Sequence, residues 1–399
     1  MNMFNKVLPI AFPLEIADIL KAIGHSNDLE VFESQFANVF NLNYCIALSL
    51  GRSALTLALI ALKETNQGKT DVIIPAYTCP TVALSVARAG LNVKLCDISI
   101  ETLNIDVSII DQLVNENTLC MIAVHSFGFP CDMDKLTEIA NRKDVFLIED
   151  VAQSAGAKWK GKTLGSIGHL SCFSLGRGKS LTTYEGGILG INNVNESIKE
   201  RLKALSDPLN RPGKIHSFSV FVQLIAMLFF QRPRLWWFIS KLPLGFENQY
   251  HSIDFHIQRL SNWQSALGLS VLRKLESINT IRKRNGEYLI QQLRDVKTIT
   301  IPKIIDNAEP VYLRLPVVFQ NKEMREEAYH KLNKVGIGVS RMYINPLHRY
   351  DYLKGIVPRG NYPVSEYVAD RILTVPTHPL VTKKNLEVIA NVLKNLAEG

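Results

Sequence analysis

Between Tyr44 and Asp150 the chain alternates short apolar runs with amphipathic stretches of about ten residues, a rhythm that few folds accept. Tyr44–Leu50 is apolar enough to be buried on both faces, and Gly51-Arg52-Ser53 turns it into a helix over Ala54–Lys63. Strand Val72–Ala76 leads to a helix with Pro80 in its first turn and Gly90 closing it. Strand Val93–Ile98 precedes a helix opened by Asp106, and strand Leu119–His125 precedes one starting near Asp132. Val145–Asp150 ends the series. The alternation predicts an α/β fold with a mostly parallel central sheet and right-handed crossovers.

In such sheets ligands gather beyond the carboxyl ends of the strands. Ser53, Tyr77, His125, Asp150 and Gln153 all fall at that end, which argues for one site. A strand that ends in glycine and enters a helix presents N–H groups and a positive dipole end, a place for a phosphate. Ser53 adds a hydroxyl there and Arg52 a charge. Any strand-to-helix turn offers as much, so the turn by itself names no ligand.

Two residues narrow the chemistry. Asp150 stands at a strand end, and Lys179 follows 29 residues later in Phe173-Ser-Leu-Gly-Arg-Gly-Lys179. Taken singly, a strand-end acid caps a helix or meets solvent, and a lysine in a Gly/Arg-rich loop is solvated. Gly178-Lys179-Ser180 is not a nucleotide P-loop, since Phe173 stands where its first glycine belongs. Gly176-Arg-Gly178 is not a dinucleotide fingerprint either, with Leu181 at the last glycine position. An acid with a lysine is what pyridoxal phosphate chemistry requires: the lysine holds the aldehyde as a Schiff base and the acid keeps the ring nitrogen protonated.

The rest of the chain sets the frame. With 399 residues and 47% hydrophobic composition it can bury a large core in two domains. The net charge of +8 favours an anionic ligand, but no dense basic tract with interleaved aromatics marks a nucleic-acid surface. Six cysteines without CxxC spacing read as reduced thiols of a cytoplasmic protein, and no metal-ligand set is apparent. Phe32, Phe36 and Phe40, at i/i+4 spacing, read as core. The organisation expected is an α/β domain over 1–205, an apolar insertion over 206–250 and a smaller α+β domain over 251–399. In the insertion Ser217–Phe230 carries no charge for fourteen residues, and Arg232, Arg234, Trp236 and Trp237 follow. That is too short for a helical membrane span of about twenty residues. It leaves a buried hairpin, a dimer contact, or peripheral contact of 217–238 with the inner membrane face.

The C-terminal part reads as a long helix from Ser261 to about Leu293, short strands at Val311–Phe319 and Ile337–Tyr343, and helices over Lys322–Val335 and Lys383–Leu396.

Taken in order, the motifs resemble those of the DegT/DnrJ/EryC1/StrS sugar aminotransferases, fold-type I pyridoxal phosphate enzymes. The matching pieces include Gly51-Arg-Ser-Ala-Leu55, Ile74-Pro-Ala-Tyr-Thr78, His125-Ser-Phe-Gly-Phe-Pro-Cys-Asp-Met133 and Ile148-Glu-Asp-Val-Ala-Gln153. Phe173-Ser…Lys179, Glu185-Gly-Gly187, Gln264-Ser-Ala-Leu-Gly268, Pro346-Leu-His348 and Val375-Pro-Thr-His-Pro379 continue the set. The resemblance implies that Lys179 is the Schiff-base lysine, Asp150 the partner of the pyridinium nitrogen, and Gln153 a contact near the ring's phenolic oxygen. It assigns the phosphate to Ser174, Ser53 and the Arg52 and Ala54 amides. Tyr77, Cys79 and His125 fall at the cofactor, and Arg259, Tyr343 and His348 on the substrate side. It further implies glutamate as amino donor, a keto-sugar nucleotide as acceptor, a role in surface-polysaccharide synthesis, and a homodimer. The family's sugar dehydratases place histidine at the lysine position, so Lys179 favours amino transfer.

Three positions depart from the family. Arg52 replaces a threonine of the phosphate turn, and Cys79 stands where an aromatic ring commonly stacks on the cofactor. Ile257 takes the place of an asparagine that reaches the neighbouring subunit's phosphate. Either Tyr77 takes over the stacking or the stacking is weaker.

Overall fold

The computed structural model describes residues 6–11, 14–23, 29–230 and 252–396. The apolar runs become seven strands: β1 Tyr44–Leu48, β2 Asp71–Pro75, β3 Asn92–Cys96, β4 Thr118–Val124, β5 Phe146–Asp150, β6 Leu170–Ser174 and β7 Gly187–Ile191. They form one sheet in the order β1–β7–β6–β5–β4–β2–β3. The pairs β3/β2, β2/β4, β4/β5 and β5/β6 are parallel, and only β7 runs against its neighbours β6 and β1. Every residue of β2, β4 and β7 is buried, which is why those runs lack alternation.

Helices cover both faces. On one lie α1 Ile16–Ile23 and α2 Leu29–Phe40, whose aromatic stripe is core: Phe36 stacks on Phe40 at 4.4 Å, and Phe173 of β6 meets both edge-on. On the other lie α3 Gly51–Thr65 and α4 Pro80–Arg88, packed through Leu55, Leu59, Val82 and Val86. Helix α5, Met133–Lys143, is capped by Asp132, which accepts the Lys135 amide at 3.1 Å. Asn195 caps α6, Glu196–Ser206, in the same way.

Two expected helices change form. After Asp106 a single turn, Ile110–Leu113, forms, because the Asp106 carboxylate bonds the Ser108 amide and hydroxyl in a local turn. The run from Ser261 to Leu293 breaks into α8 (Asn262–Leu272) and α9 (Leu275–Leu293). At the break the Lys274 ammonium reaches Glu15 at 3.0 Å and Asp18 at 2.8 Å, fixing α1 to the joint.

The uncharged segment is helical rather than a hairpin: α7 spans Lys214–Phe230. Val220 and Leu224 are buried, Phe221 meets Trp263 edge-on at 5.6 Å, and Gln223 accepts the Tyr184 hydroxyl at 2.7 Å. Ile215, Phe218 and Val222 face outward. Residues 231–238 of the expected contact segment lie outside the described residues. Among the described residues no helix is long and apolar enough to cross a membrane.

The C-terminal part builds a three-stranded antiparallel sheet from Ile299–Thr300, β8 Leu315–Phe319 and β9 Ile372–Val375. Helices α10 Lys322–Lys334, α11 Pro363–Arg371 and α12 Lys383–Asn395 pack on it, the last begun by a Thr382/Asn385 capping box. The expected strand Ile337–Tyr343 is not a ladder strand. It touches Val7 and Thr374 only through the single bridges Val7↔Ile337 and Ser340↔Thr374. Arg282 on α9, fully buried, donates to the carbonyls of Leu313 (2.7 Å) and Ala11 (3.0 Å) and joins the two parts. All six cysteines are free thiols.

Candidate active site

Successive residues of a strand point to opposite faces, and the end of β5 uses both. Glu149 turns inward and has no exposed surface. Its Oε1 accepts the amides of Ile167 (2.8 Å) and Gly168 (2.7 Å), and its Oε2 the amide of Gly165 (2.8 Å). His125 lies 3.3 Å from the same Oε2 through Nε2, while its Nδ1 accepts the Cys131 amide at 3.0 Å. That acceptance places the ring proton on Nε2, aimed at Glu149. His125 thus has both nitrogens occupied and no open face: it positions the β4–β5 end from behind.

Asp150 turns the other way. Its Oδ1 accepts the Ala152 amide at 3.0 Å. Burial raises its carboxyl above the usual range, opposed by that N–H, by the Lys179 charge and by the neighbouring His125 ring. Lys179 follows Gly176-Arg-Gly178, in which Gly178 takes φ +76°, between β6 and β7. Burial draws its amine below the usual lysine range, Arg314 pushes the same way, and Cys79 and Asp150 oppose both. Lys179 is half-buried and Asp150 buried, and the charge of each opposes the effect of burial on the other.

The strand-to-helix turn forms the second wall. A methyl on Gly51 would stand 3.0 Å from Ser174 Cβ and 3.2 Å from its Oγ, so the missing side chain leaves a cradle between the turn and β6. Gly187 runs so close that a Cβ would lie 2.4 Å from the Leu50 carbonyl oxygen, which explains Gly186-Gly187. Of the expected phosphate ligands, the Ala54 amide donates to the Leu50 carbonyl at 3.2 Å and is engaged within α3. Ser53 Oγ points to the His256 carbonyl at 3.4 Å, and the Arg52 guanidinium lies 4.4 Å from the centre of the Phe255 ring.

The third wall comes from the C-terminal part. Tyr343 brings its hydroxyl within 3.1 Å of the Gln153 side-chain nitrogen, and Gln153 Oε1 accepts the Phe127 amide at 3.1 Å. Tyr77 is sealed, 1% exposed, with its hydroxyl bonded to the Tyr343 backbone, so its ring presents no face for stacking. Cys79, half-buried at the start of α4, lies 3.0 Å from the Thr81 hydroxyl and borders Lys179 electrostatically. Sequence reasoning missed Arg314, half-buried in the residue before β8, which donates to Ser340 Oγ at 3.1 Å and whose charge acts on Lys179 and Tyr343. A lone arginine in Tyr312-Leu-Arg-Leu315 gives no sequence signal.

Two expected substrate residues are engaged elsewhere. The Arg259 guanidinium pairs with Glu33 at 2.7 Å, and Glu33 also accepts the Ala47 amide. His348 bonds Glu366 at 2.8 Å through Nε2 and stacks at a tilt near Tyr362.

Comparison with known proteins agrees with this geometry. The model of the DegT/DnrJ/EryC1/StrS aminotransferase family matches residues 15–219 and 239–394. The chain is 36% identical to GDP-perosamine synthase of Escherichia coli O157:H7 over 90% of this chain and 87% of that protein. It is 25% identical to GDP-4-keto-6-deoxy-D-mannose 3-dehydratase of Escherichia coli O55:H7, over 91% of each. Its fold superimposes with a TM-score of 0.80 on Helicobacter pylori PseC, an aminotransferase involved in pseudoaminic acid biosynthesis, at 18% identity over 98% and 99% of the two chains. A half-buried lysine and a buried aspartate at the carboxyl edge of a mostly parallel sheet, with family motifs in register along nearly the whole length, lead to one conclusion: this chain belongs to the DegT/DnrJ/EryC1/StrS aminotransferase family.

Proposed function

We propose that this protein is a pyridoxal phosphate-dependent aminotransferase that moves an amino group from an amino acid, glutamate, to a keto-sugar nucleotide in surface-polysaccharide synthesis. One observation carries the reading: Asp150 at the end of β5 and Lys179 in the loop after β6 lie at the same carboxyl edge of the sheet as the Gly51–Ser174 turn, the charge of each acting on the other. The residues fit the cofactor. The cradle suits a phosphate at the open end of α3, and a ring N–H would give the buried Asp150 a hydrogen-bonded counter-charge. When bound, pyridoxal phosphate supplies an aldehyde and an electron-withdrawing ring.

The chain's own residues do the rest. A lysine amine lowered by burial is neutral more often at a given pH, so Lys179 can take a proton from a donor's α-carbon and return it elsewhere. Asp150 would hold a proton, and with it positive charge, on the ring nitrogen of the bound cofactor. Gln153 and Tyr343 form a hydrogen-bonded wall that excludes water from one side. Lysine at 179 separates this chain from the dehydratase branch.

The test is glutamate-dependent amination of a panel of keto-sugar nucleotides, GDP-4-keto-6-deoxy-D-mannose first, read by product mass. Failure with every acceptor, together with no half-reaction with glutamate, would leave a catalytically lapsed binding protein as the better reading.

We infer a homodimer as the working form. The outward residues of α7, with Phe218 69% and Ile215 89% exposed, support a surface for a second copy, and the inner membrane face is the competing occupant.

A further inference from the structure

The loop that carries Lys179 is closed at its neck. There the Leu175 amide donates to the Gly186 carbonyl at 2.9 Å and the Thr183 amide to the Leu175 carbonyl at 3.0 Å, so residues 176–182 leave and return at one point. Thr182 Oγ1 donates to the same Leu175 carbonyl at 3.2 Å and accepts the Tyr184 amide at 3.0 Å. Gln264 on α8 donates to the carbonyls of Thr183 (3.3 Å) and Glu185 (3.0 Å).

Tyr184 reaches beyond the neck. It takes φ +74°, a conformation that bulky side chains seldom hold, and is 4% exposed. Its ring centre lies 5.2 Å from the guanidinium carbon of Arg177, two residues before Lys179, so a side chain of the returning limb meets the outgoing limb. Its hydroxyl donates to Gln223 Oε1 on α7 at 2.7 Å, and Gln223 is steadied by donating to Ser219 Oγ at 3.0 Å. In the first turn of α7, His216 Nε2 lies 3.1 Å from Glu185 Oε2, a second tie to the same limb. A tyrosine that served only to fill the core could do so from a relaxed backbone.

We propose that Tyr184 is a positioning residue for Lys179: it clasps the two limbs of the lysine loop and pins them to Gln223, so that α7 braces the reactive lysine from outside. This rests on the aminotransferase reading. It gives the uncharged segment a part in the reaction through its inner contacts, separate from any surface its outer face presents. The brace limits where the Lys179 amine can point, and proton transfer by a side chain depends on that aim.

The experiment uses the full chain and its Tyr184→Phe, Gln223→Leu and Gln223→Glu variants, the last keeping an acceptor oxygen for the hydroxyl. Gln223 is exposed, so its variants remove the bond without opening the core. Amide hydrogen exchange is read on the cofactor-free protein, and the half-reaction with L-glutamate on the loaded enzyme. Exchange within 175–186 should quicken about fivefold in Y184F and Q223L, the equivalent of one lost hydrogen bond of about 1 kcal/mol. The maximal rate of the half-reaction should fall about fivefold in both, while half-saturating glutamate stays within about threefold. The double variant Y184F/Q223L should be no worse than either single, because both remove the same bond. Q223E should restore exchange and rate. Unchanged exchange within 175–186 in both Y184F and Q223L overturns the clasp. So does faster exchange with an undiminished half-reaction, which would leave Tyr184 as core packing, and so does an equal loss in Q223E and Q223L. A wild type that neither takes up cofactor nor transaminates glutamate overturns the aminotransferase reading itself, a failure told apart by the exchange data, which need no cofactor.

Discussion

The Gln153 side-chain amide donates to the Tyr343 hydroxyl at 3.1 Å, joining the loop after β5 to a segment of the C-terminal part. Gln153 is itself held, because its Oε1 accepts the Phe127 amide. The wall beside Asp150 is therefore assembled from residues 190 positions apart. Gln153→Ala and Tyr343→Phe should each lower kcat/KM by about tenfold, with about 1 kcal/mol of stability lost. A double-mutant cycle should show coupling of about 1 kcal/mol between them, and additive effects would contradict a working contact.

Lys179 and Asp150 should separate in their effects. Lys179→Ala should abolish both the visible cofactor band and amino transfer. Asp150→Asn keeps the volume and one acceptor oxygen but removes the negative charge. It should still take up cofactor while transfer falls at least about a hundredfold. Equal loss of uptake in both variants would mean that Asp150 acts in binding alone.

Glu149 is the deeper of the two neighbouring acids, with three backbone amides and His125 on its carboxylate. Glu149→Ala leaves those donors buried and unpaired, and should cost about 3 kcal/mol in urea unfolding. Asp150→Asn should cost far less. A similar cost for both would show that the inward carboxylate is not the structural one.

His378 gives a pH signature. Burial, first, and the nearby Arg282 and Arg314 charges hold its imidazole down to about 3, while the Leu8 carbonyl accepts from Nε2 at 2.9 Å. The folded pKa lies below the unfolded value near 6.5, so the unfolded chain takes up the proton first. The contribution is complete above about pH 6.5 and is lost as pH falls toward 3, at about 1.4 kcal/mol per pH unit. His378→Gln should flatten that acid limb in urea titrations between pH 6.5 and 5. An unchanged slope would place the titrating group elsewhere.

The outward face of α7 is testable without touching the site. Phe218 and Val222 are 69% and 48% exposed, so Phe218→Ser with Val222→Ser should change stability by less than about 0.5 kcal/mol. Sedimentation should nevertheless shift toward monomer. Loss of flotation with anionic vesicles at unchanged mass would favour the membrane surface instead.

Much of the layout was legible because buried parallel strands must be apolar. The runs ending at Pro75, Val124 and Asp150 are β2, β4 and β5 within a residue or two of their expected bounds. The aromatic stripe of α2 was equally plain, since helical spacing fixes which side chains share a face. The family motifs placed Lys179, Asp150 and Gln153 at one edge of the sheet. Local chemistry misled where a short-range bond competed with a helix, as at Asp106, and where Lys274 drew the chain toward α1.

The sequence by itself determined the sheet, its ligand-bearing edge and the lysine–acid pair, because strand patterning and motif order are local properties of the chain. Only tertiary structure decided which neighbours completed the site. It closed His125 and Tyr77 behind other groups, committed Arg259 and His348 to carboxylates, and set Arg314 against Ser340. Burial and hydrogen-bond partners are supplied by residues far away along the chain, and no spacing rule encodes them.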